Sequence, residues 1–339
     1  MTAAVYISEN SRAIFRYALG ATLMVGLAMG YNWELSFLLP VLGLDFLSPG
    51  KSRPTLYEGL RFLFTISLAS LVGLFFSYFF LSVPFIHILI TFLLLLHVFY
   101  TNSRFFGPMI KVWLIIAVLL IPNIGLLSLD LAEIIAISLV INAVLAILVV
   151  WFTYTIFPAV PKAKVTATTQ PQKANPGKFQ RFEYAITNTL IIMPVYLVFY
   201  YYEMSSYILI LIFIALLSMQ PAFAKDFKGG IALIMANLIG GLLAISSYEV
   251  LTVVPVFSYF LLIVLLCGLY LGFNAFSEKK TARLFAMAFS TYLLIICSVT
   301  GFGTIDAGTK LWSRIFQIMI AVIYVVTAFG LVHRFKRKA

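Results

Sequence analysis

The sequence predicts an all-α integral membrane protein of about twelve transmembrane helices, built as two tandem six-helix repeats of the same orientation with both termini inside. Three observations predict it. Hydrophobic residues fill 63% of the 339 positions and charged residues only 10%, against roughly 45–50% and about 25% in soluble domains. The apolar residues fall into twelve runs, and the few charges between them sort by sign. A mean hydropathy of +1.06 describes a chain whose apolar surplus is solvated by lipid, because no soluble core could hide it.

A helix needs about 20 apolar residues to cross the hydrocarbon, or fewer where it packs inside a bundle. On that basis the first half reads Ala13–Tyr31, Leu35–Ser48, Leu60–Leu81, Phe85–Thr101, Pro108–Leu127 and Leu131–Phe157. The second of these runs is short and carries Pro40 and Asp45. The second half reads Tyr184–Tyr202, Ser206–Met219, Gly230–Val250, Pro255–Phe273, Leu284–Val299 and Leu311–Val332. Met1–Asn10 is polar and has no signal-peptide pattern.

Loop charge supplies an independent check, since Lys and Arg concentrate on the cytoplasmic side. With the N-terminus inside, that side receives Arg12, Arg16, Lys51, Arg53, Arg61, Arg104 and Lys111, then the linker lysines, then Lys225, Lys228, Lys279, Lys280, Arg283 and the basic tail. The opposite loops receive Glu34, Asp130, Glu133, Glu203, Glu249 and Asp306, with Lys310 and Arg314 as their only cations. One missed span would scramble this order. The net charge of +11 is therefore a topology signal and not a nucleic-acid footprint.

The stretch Pro158–Lys178 (PAVPKAKVTATTQPQKANPGK) has too little apolar content to pack a core and reads as a flexible linker. It divides the chain into a first module (1–157), a linker (158–180) and a second module (181–339) ending in a short basic tail. The modules match at nearly constant offset. Trp33-Glu34-Leu35-Ser36 meets Tyr202-Glu203-Met204-Ser205, and Gly59 meets Gly229. Ser77-Tyr78 meets Ser247-Tyr248, Asn102 meets Asn274, Lys111 meets Arg283 and Asp130 meets Asp306. Six spans per module keep both copies in the same orientation, an arrangement common in transporters.

Tyr17-Ala-Leu, Pro49-Gly50, Thr55, Gly59, Arg61 and Thr65 resemble the repeat signature of the fusaric-acid-resistance / aromatic-acid-exporter superfamily. Ser218-Met-Gln-Pro221, Lys228-Gly229-Gly230, Asn237 and Gly240-Gly241-Leu-Leu-Ala244 look like a second copy. The resemblance implies efflux of aromatic carboxylic acids across a bacterial inner membrane, often beside a periplasmic membrane-fusion adaptor protein. Plant aluminium-activated malate transporters, which are anion channels, look distantly related. The chain departs from the bacterial pattern in having only a linker and a tail where those exporters carry sizeable cytoplasmic domains.

Ionisable groups at membrane depth are costly and mark functional candidates. Asp45 reads either as a proton carrier or as an interfacial carboxylate that caps a helix or pairs with Arg61. Arg61 suits a carboxylate substrate through its fork of donors, or anchors by snorkelling. Lys111 and Arg283, at matching positions, suit an anion path or cytoplasmic anchoring. Arg314 lies on the cation-poor side with Gln317 near the same helical face, as a substrate-exit site or an ion pair with Asp306. His87 and His97, ten residues apart on one span, sit at different depths and cannot chelate one metal. Each reads as a proton relay or a packing histidine. Asn142, Asn237 and Gln220 read as interhelical glue.

Cys267 and Cys297 lie in apolar runs and suggest neither a disulfide nor a metal site. No phosphate-cradling Walker sequence occurs, and the scattered acids and histidines form no catalytic cluster, so neither an enzyme nor a cofactor is expected. The leading expectation is a secondary exporter of organic anions, proton-coupled. A gated anion channel and a non-transporting scaffold of an envelope complex are the alternatives.

Overall fold

The computed structural model describes residues 9–33, 35–101, 108–159, 177–204, 207–218, 227–279, 281–299, 316–317 and 319–331. Among the described residues it contains no strand. The helices are α1 (Glu9–Tyr31), α2 (Leu38–Leu47), α3 (Leu56–Phe79), α4 (Pro84–Tyr100), α5 (Pro108–Gly125) and α6 (Leu129–Ile156). They continue as α7 (Lys178–Tyr201), α8 (Ile208–Ser218), α9 (Phe227–Val253), α10 (Phe257–Ala275), α11 (Ala282–Val299) and α12 (Met319–Leu331). Each falls on one of the twelve apolar runs. Six of them (α1, α3, α6, α7, α9 and α10) are long and apolar enough to cross a membrane.

Several helices begin earlier than their apolar runs, at Glu9, Leu56 and Lys178. Apolarity marks the lipid-solvated part of a helix and misses its polar first turn. At α3 that turn is fixed by a reciprocal cap. The Thr55 amide donates to Glu58 at 2.8 Å and the Glu58 amide donates to Thr55 Oγ1 at 3.2 Å, which satisfies two donors the helix leaves open. The run for α2 is shortened instead, to 10 residues, and α8 is described over 11 residues. Pro40 is tolerated because it falls in the first turn of α2, where its missing N–H costs no ladder bond.

The helices gather into two compact units. Unit 1 takes Met1–Leu60, Ile141–Lys164 and Ala232–Ile315; unit 2 takes Arg61–Val140, Val165–Ile231 and Phe316–Ala339. In unit 1, α1 packs along α10 and α2, and α10 packs along α11, which also meets α2. In unit 2, α7 packs along α4 and α8, and α5 meets α8 and α4. Each unit thus joins the first and second helices of one sequence module to the fourth and fifth of the other.

Unit 1 closes its main seam on small residues. A Cβ at Gly268 would lie 3.2 Å from Ala18 Cα, and one at Gly272 would lie 3.2 Å from Tyr17 Cδ1. These glycines, one turn apart, let two backbones approach as small residues do between membrane helices. Tyr17 is fully buried there, with the rings of Phe289 and Phe276 at 5.1 and 5.5 Å. Unit 2 closes the corresponding seam on larger side chains. His87, Thr91, Leu95 and Phe99 form an i, i+4 row on α4, and all four are buried. It faces a row on α7, with His87 against Tyr196 and Tyr200 at one end and Phe99 against Tyr184 at the other.

Candidate functional site: the breaks before the short helices

Arg16 fixes one end of unit 1. Its guanidinium donates to the Phe157 carbonyl at 2.9 Å just past α6, pairs with Glu9 at 3.1 Å, and lies 4.7 Å over the Tyr154 ring. It satisfies a carbonyl that α6 leaves open, and its positive charge suits a helix C-terminus. From this level the end of α1 at Tyr31 is about 22 Å away at the rise of an α-helix, and Asn142 is the same distance back along α6. Asn142 Nδ2 donates to the Leu35 carbonyl at 3.1 Å, which holds the α1–α2 turn at that height. Beyond Asn142, α6 runs about another 20 Å to Leu129. The chain therefore breaks at a depth that α6 traverses as continuous helix.

The break has an unusual backbone. Asn32 and Leu35 both adopt left-handed φ values, 45° and 57°, which cost a non-glycine residue roughly 1–2 kcal/mol. Short-range bonds recover most of the freed groups: Asn32 N–H to Ala28 O at 3.0 Å, Ser36 N–H to Trp33 O at 3.1 Å and Leu38 N–H to Leu35 O at 2.9 Å. Two buried polar atoms remain without a partner, the Trp33 Nε1 donor and the Asn142 Oδ1 acceptor. Gly30, Tyr31 and Asn32 are exposed on the other side of the turn. Irregular backbone at membrane depth persists where protein buries it or where it lines a water-filled cavity. One side of this turn is packed and the other is exposed.

Unit 2 carries a break at the matching place. The Tyr202 amide bonds Val198 O at 3.0 Å, the Met204 amide bonds Phe199 O at 3.2 Å and the Tyr207 amide bonds Met204 O at 3.0 Å, with Glu203 at φ 50°. The four-residue match Trp33–Ser36 with Tyr202–Ser205 falls on these two breaks, so the sequence did carry their signal, as a repeat without a structural meaning.

The sequence candidates lie elsewhere. Asp45 is the one exposed residue of α2, whose other faces are buried or half-buried. Arg61 is half-buried early in α3, where its carbonyl accepts Thr65 Oγ1 at 2.7 Å. Lys111 is half-buried in the first turn of α5, Arg283 is exposed at the start of α11, and Gln317 is buried in unit 2. Arg314 lies outside the described residues. His97 lines an open groove of about 550 Å³ with Leu93, Leu96, Tyr100, Lys178, Phe179 and Phe182. Lys178 joins His97 there, and Arg61, Lys111 and Gln317 do not. Among the described residues no group of three His, Cys, Asp or Glu is placed to hold a metal.

These features define a multi-pass helical membrane protein. Residues 13–153 match the family described as "Protein of unknown function (DUF2955)", so the chain is similar to that family from within α1 to within α6, its first six helices. No curated protein and no solved structure matches the chain.

Proposed function

We propose that the protein is a secondary transporter that exports organic anions, aromatic carboxylates foremost, across a bacterial inner membrane in exchange for protons. One observation carries this reading: the short helix α2 and its counterpart α8, at corresponding positions of the two sequence modules, each follow a turn with left-handed backbone. Paired interrupted helices are the best pointer to a transporter's binding site. A same-orientation repeat is supported by the matched residue pairs and by the identical partner exchange within the two units. The family match covers six helices and stops before the linker, which agrees with a six-helix module.

At the α1–α2 break, the Trp33 indole N–H is a buried donor without a partner, the kind of group that orients an anion in a binding site. The Asn142 amide keeps the turn in place. Everted vesicles supplied with radiolabelled aromatic carboxylates test the reading. Protein-dependent accumulation that collapses with a protonophore is the expected result. Flux that never exceeds electrochemical equilibrium would make the protein a channel, and no protein-dependent flux would overturn the proposal.

A further inference from the structure

We propose that the α4–α7 seam of unit 2 is a hydrated proton relay in which His87 takes up and releases the proton and Tyr196 passes it on. The inference rests on the transport reading, because it names the coupling group of that transport.

His87 is fully buried one turn into α4. Its Nε2 lies 2.5 Å from the Tyr196 hydroxyl, while its Nδ1 has no hydrogen-bond partner. The imidazole is walled by rings, with Tyr200 stacked at 5.1 Å and Phe76 edge-on at 6.2 Å. α3 thus presents Phe76 to it and α7 presents Tyr196 and Tyr200, and no charged side chain among the described residues acts on it. One ring nitrogen is bonded and the other is open.

The same seam holds more unused polarity. Thr91 is fully buried beside the Tyr196 hydroxyl, one turn from His87. On α7, Asn188 and Thr189 are fully buried, and Asn188 Oδ1 and Thr189 Oγ1 have no partner. Asn188 belongs to the i, i+4 row that runs Tyr184, Asn188, Ile192, Tyr196, Tyr200. Buried polar groups left open in this way are satisfied by ordered water. The matching seam of unit 1 contrasts with this: no buried polar atom of α1 or α10 among the described residues is unpartnered. The polarity belongs to this seam and not to the packing arrangement that the units share.

A proton reaching Nδ1 from water makes the imidazolium. The Nε2 proton then passes to the Tyr196 oxygen as the tyrosine's own proton leaves toward the water chain. One proton crosses and no net charge stays behind. The imidazolium is only transient, because the Nε2 proton leaves to Tyr196 as the Nδ1 proton arrives.

The test has two arms. In proteoliposomes, His87→Gln should lower protonophore-sensitive accumulation at least about tenfold, a loss of roughly 1.4 kcal/mol of coupling, while retaining gradient-free counterflow. Tyr196→Phe should fall between wild type and His87→Gln. Unchanged accumulation in His87→Gln would overturn the proposal, whereas a wild-type protein that moves no anion would overturn the transport reading instead. The second arm needs no transport. The chain has three histidines, so the double variant His97→Gln, His333→Gln leaves His87 as the sole ¹⁵N-histidine signal. Its ring N–H should exchange with water, and a ring N–H sealed from water would sink the relay even where His87→Gln fails to fold.

Discussion

In unit 1 the seam between α1 and α10 closes on Gly268, Gly272 and the fully buried Tyr17; in unit 2 the seam between α4 and α7 closes on His87, Tyr196 and Asn188. The partner exchange is the same, yet the first seam is backbone-close and leaves no buried polar atom open among the described residues, while the second is polar and built from larger side chains. Close packing of glycine against Cα leaves no room for a second arrangement, since dense interfaces are not continuously deformable. A seam with unsatisfied polar atoms accepts water and rearranges at lower cost. The comparison teaches that one architecture can close on small residues in one half and on polar side chains in the other, and it is open to direct attack.

The largest effect should come from a contact the units have in common. A Cβ at Gly240 on α9 would strike the Ala288 carbonyl on α11 and lie 2.9 Å from Thr291 Cβ; one at Gly73 on α3 would lie 2.8 Å from the Ala117 carbonyl on α5. In both places the obstacle includes backbone, which cannot rotate away. Gly240→Ala and Gly73→Ala should each destabilise by about 2–3 kcal/mol, the upper range for overpacking, read as thermal unfolding in detergent. If only one of them does so, the two units are less alike in their shared contacts than their partners suggest.

The next effect separates the breaks. Asn142→Leu removes the donor that holds the part-buried Leu35 carbonyl, at a cost of about 1 kcal/mol. The same variant should weaken binding of an aromatic carboxylate if the α1–α2 turn is the site. Stability lost without any change in binding would confine Asn142 to a structural role.

Tyr196→Phe sharpens the difference between the seams. It keeps the ring against His87 and deletes one hydroxyl, so it should cost about 1 kcal/mol, a typical net hydrogen bond. Tyr17→Phe in unit 1 deletes a hydroxyl whose contact with the Ala286 carbonyl is long, 3.5 Å, and should cost less. Equal losses in parallel unfolding curves would erase the proposed contrast.

Much of this was legible in the sequence, for a physical reason. Lipid solvation demands long apolar runs and sorts cations from anions, so the helix count and order follow from composition along the chain. What composition cannot encode is which helices meet. Tyr17, Gly268 and Phe289 come together from distant segments, and nothing in their local spacing says so. The candidate residues suffered from the same limit. Asp45, Arg61, Lys111 and Arg283 stand out because charge in an apolar chain is conspicuous, but three of them cluster near helix ends and Asp45 faces outward. His87 read first as a packing histidine until its open nitrogen and its tyrosine partner were placed. Arg16 looked like one more cytoplasmic cation, and its bonds to Phe157 and Glu9 emerge only in three dimensions.

The smallest effect probes backbone strain at the α1–α2 break itself. Leu35 sits at φ 57° with a half-exposed side chain. Leu35→Gly removes a left-handed penalty of roughly 1–2 kcal/mol, while glycine adds back about 0.5–1 kcal/mol of chain entropy and loses the packing of the leucine. The three contributions nearly cancel, so Leu35→Gly should unfold within about 1 kcal/mol of the wild type. Leu35→Val keeps more apolar surface but brings a β-branch into a conformation that such residues avoid. It should therefore be the less stable of the two, by about 1 kcal/mol. A valine variant as stable as the glycine variant would mean that the turn relaxes to ordinary φ at little cost, and the break would then lose its claim to be a built feature of the first unit.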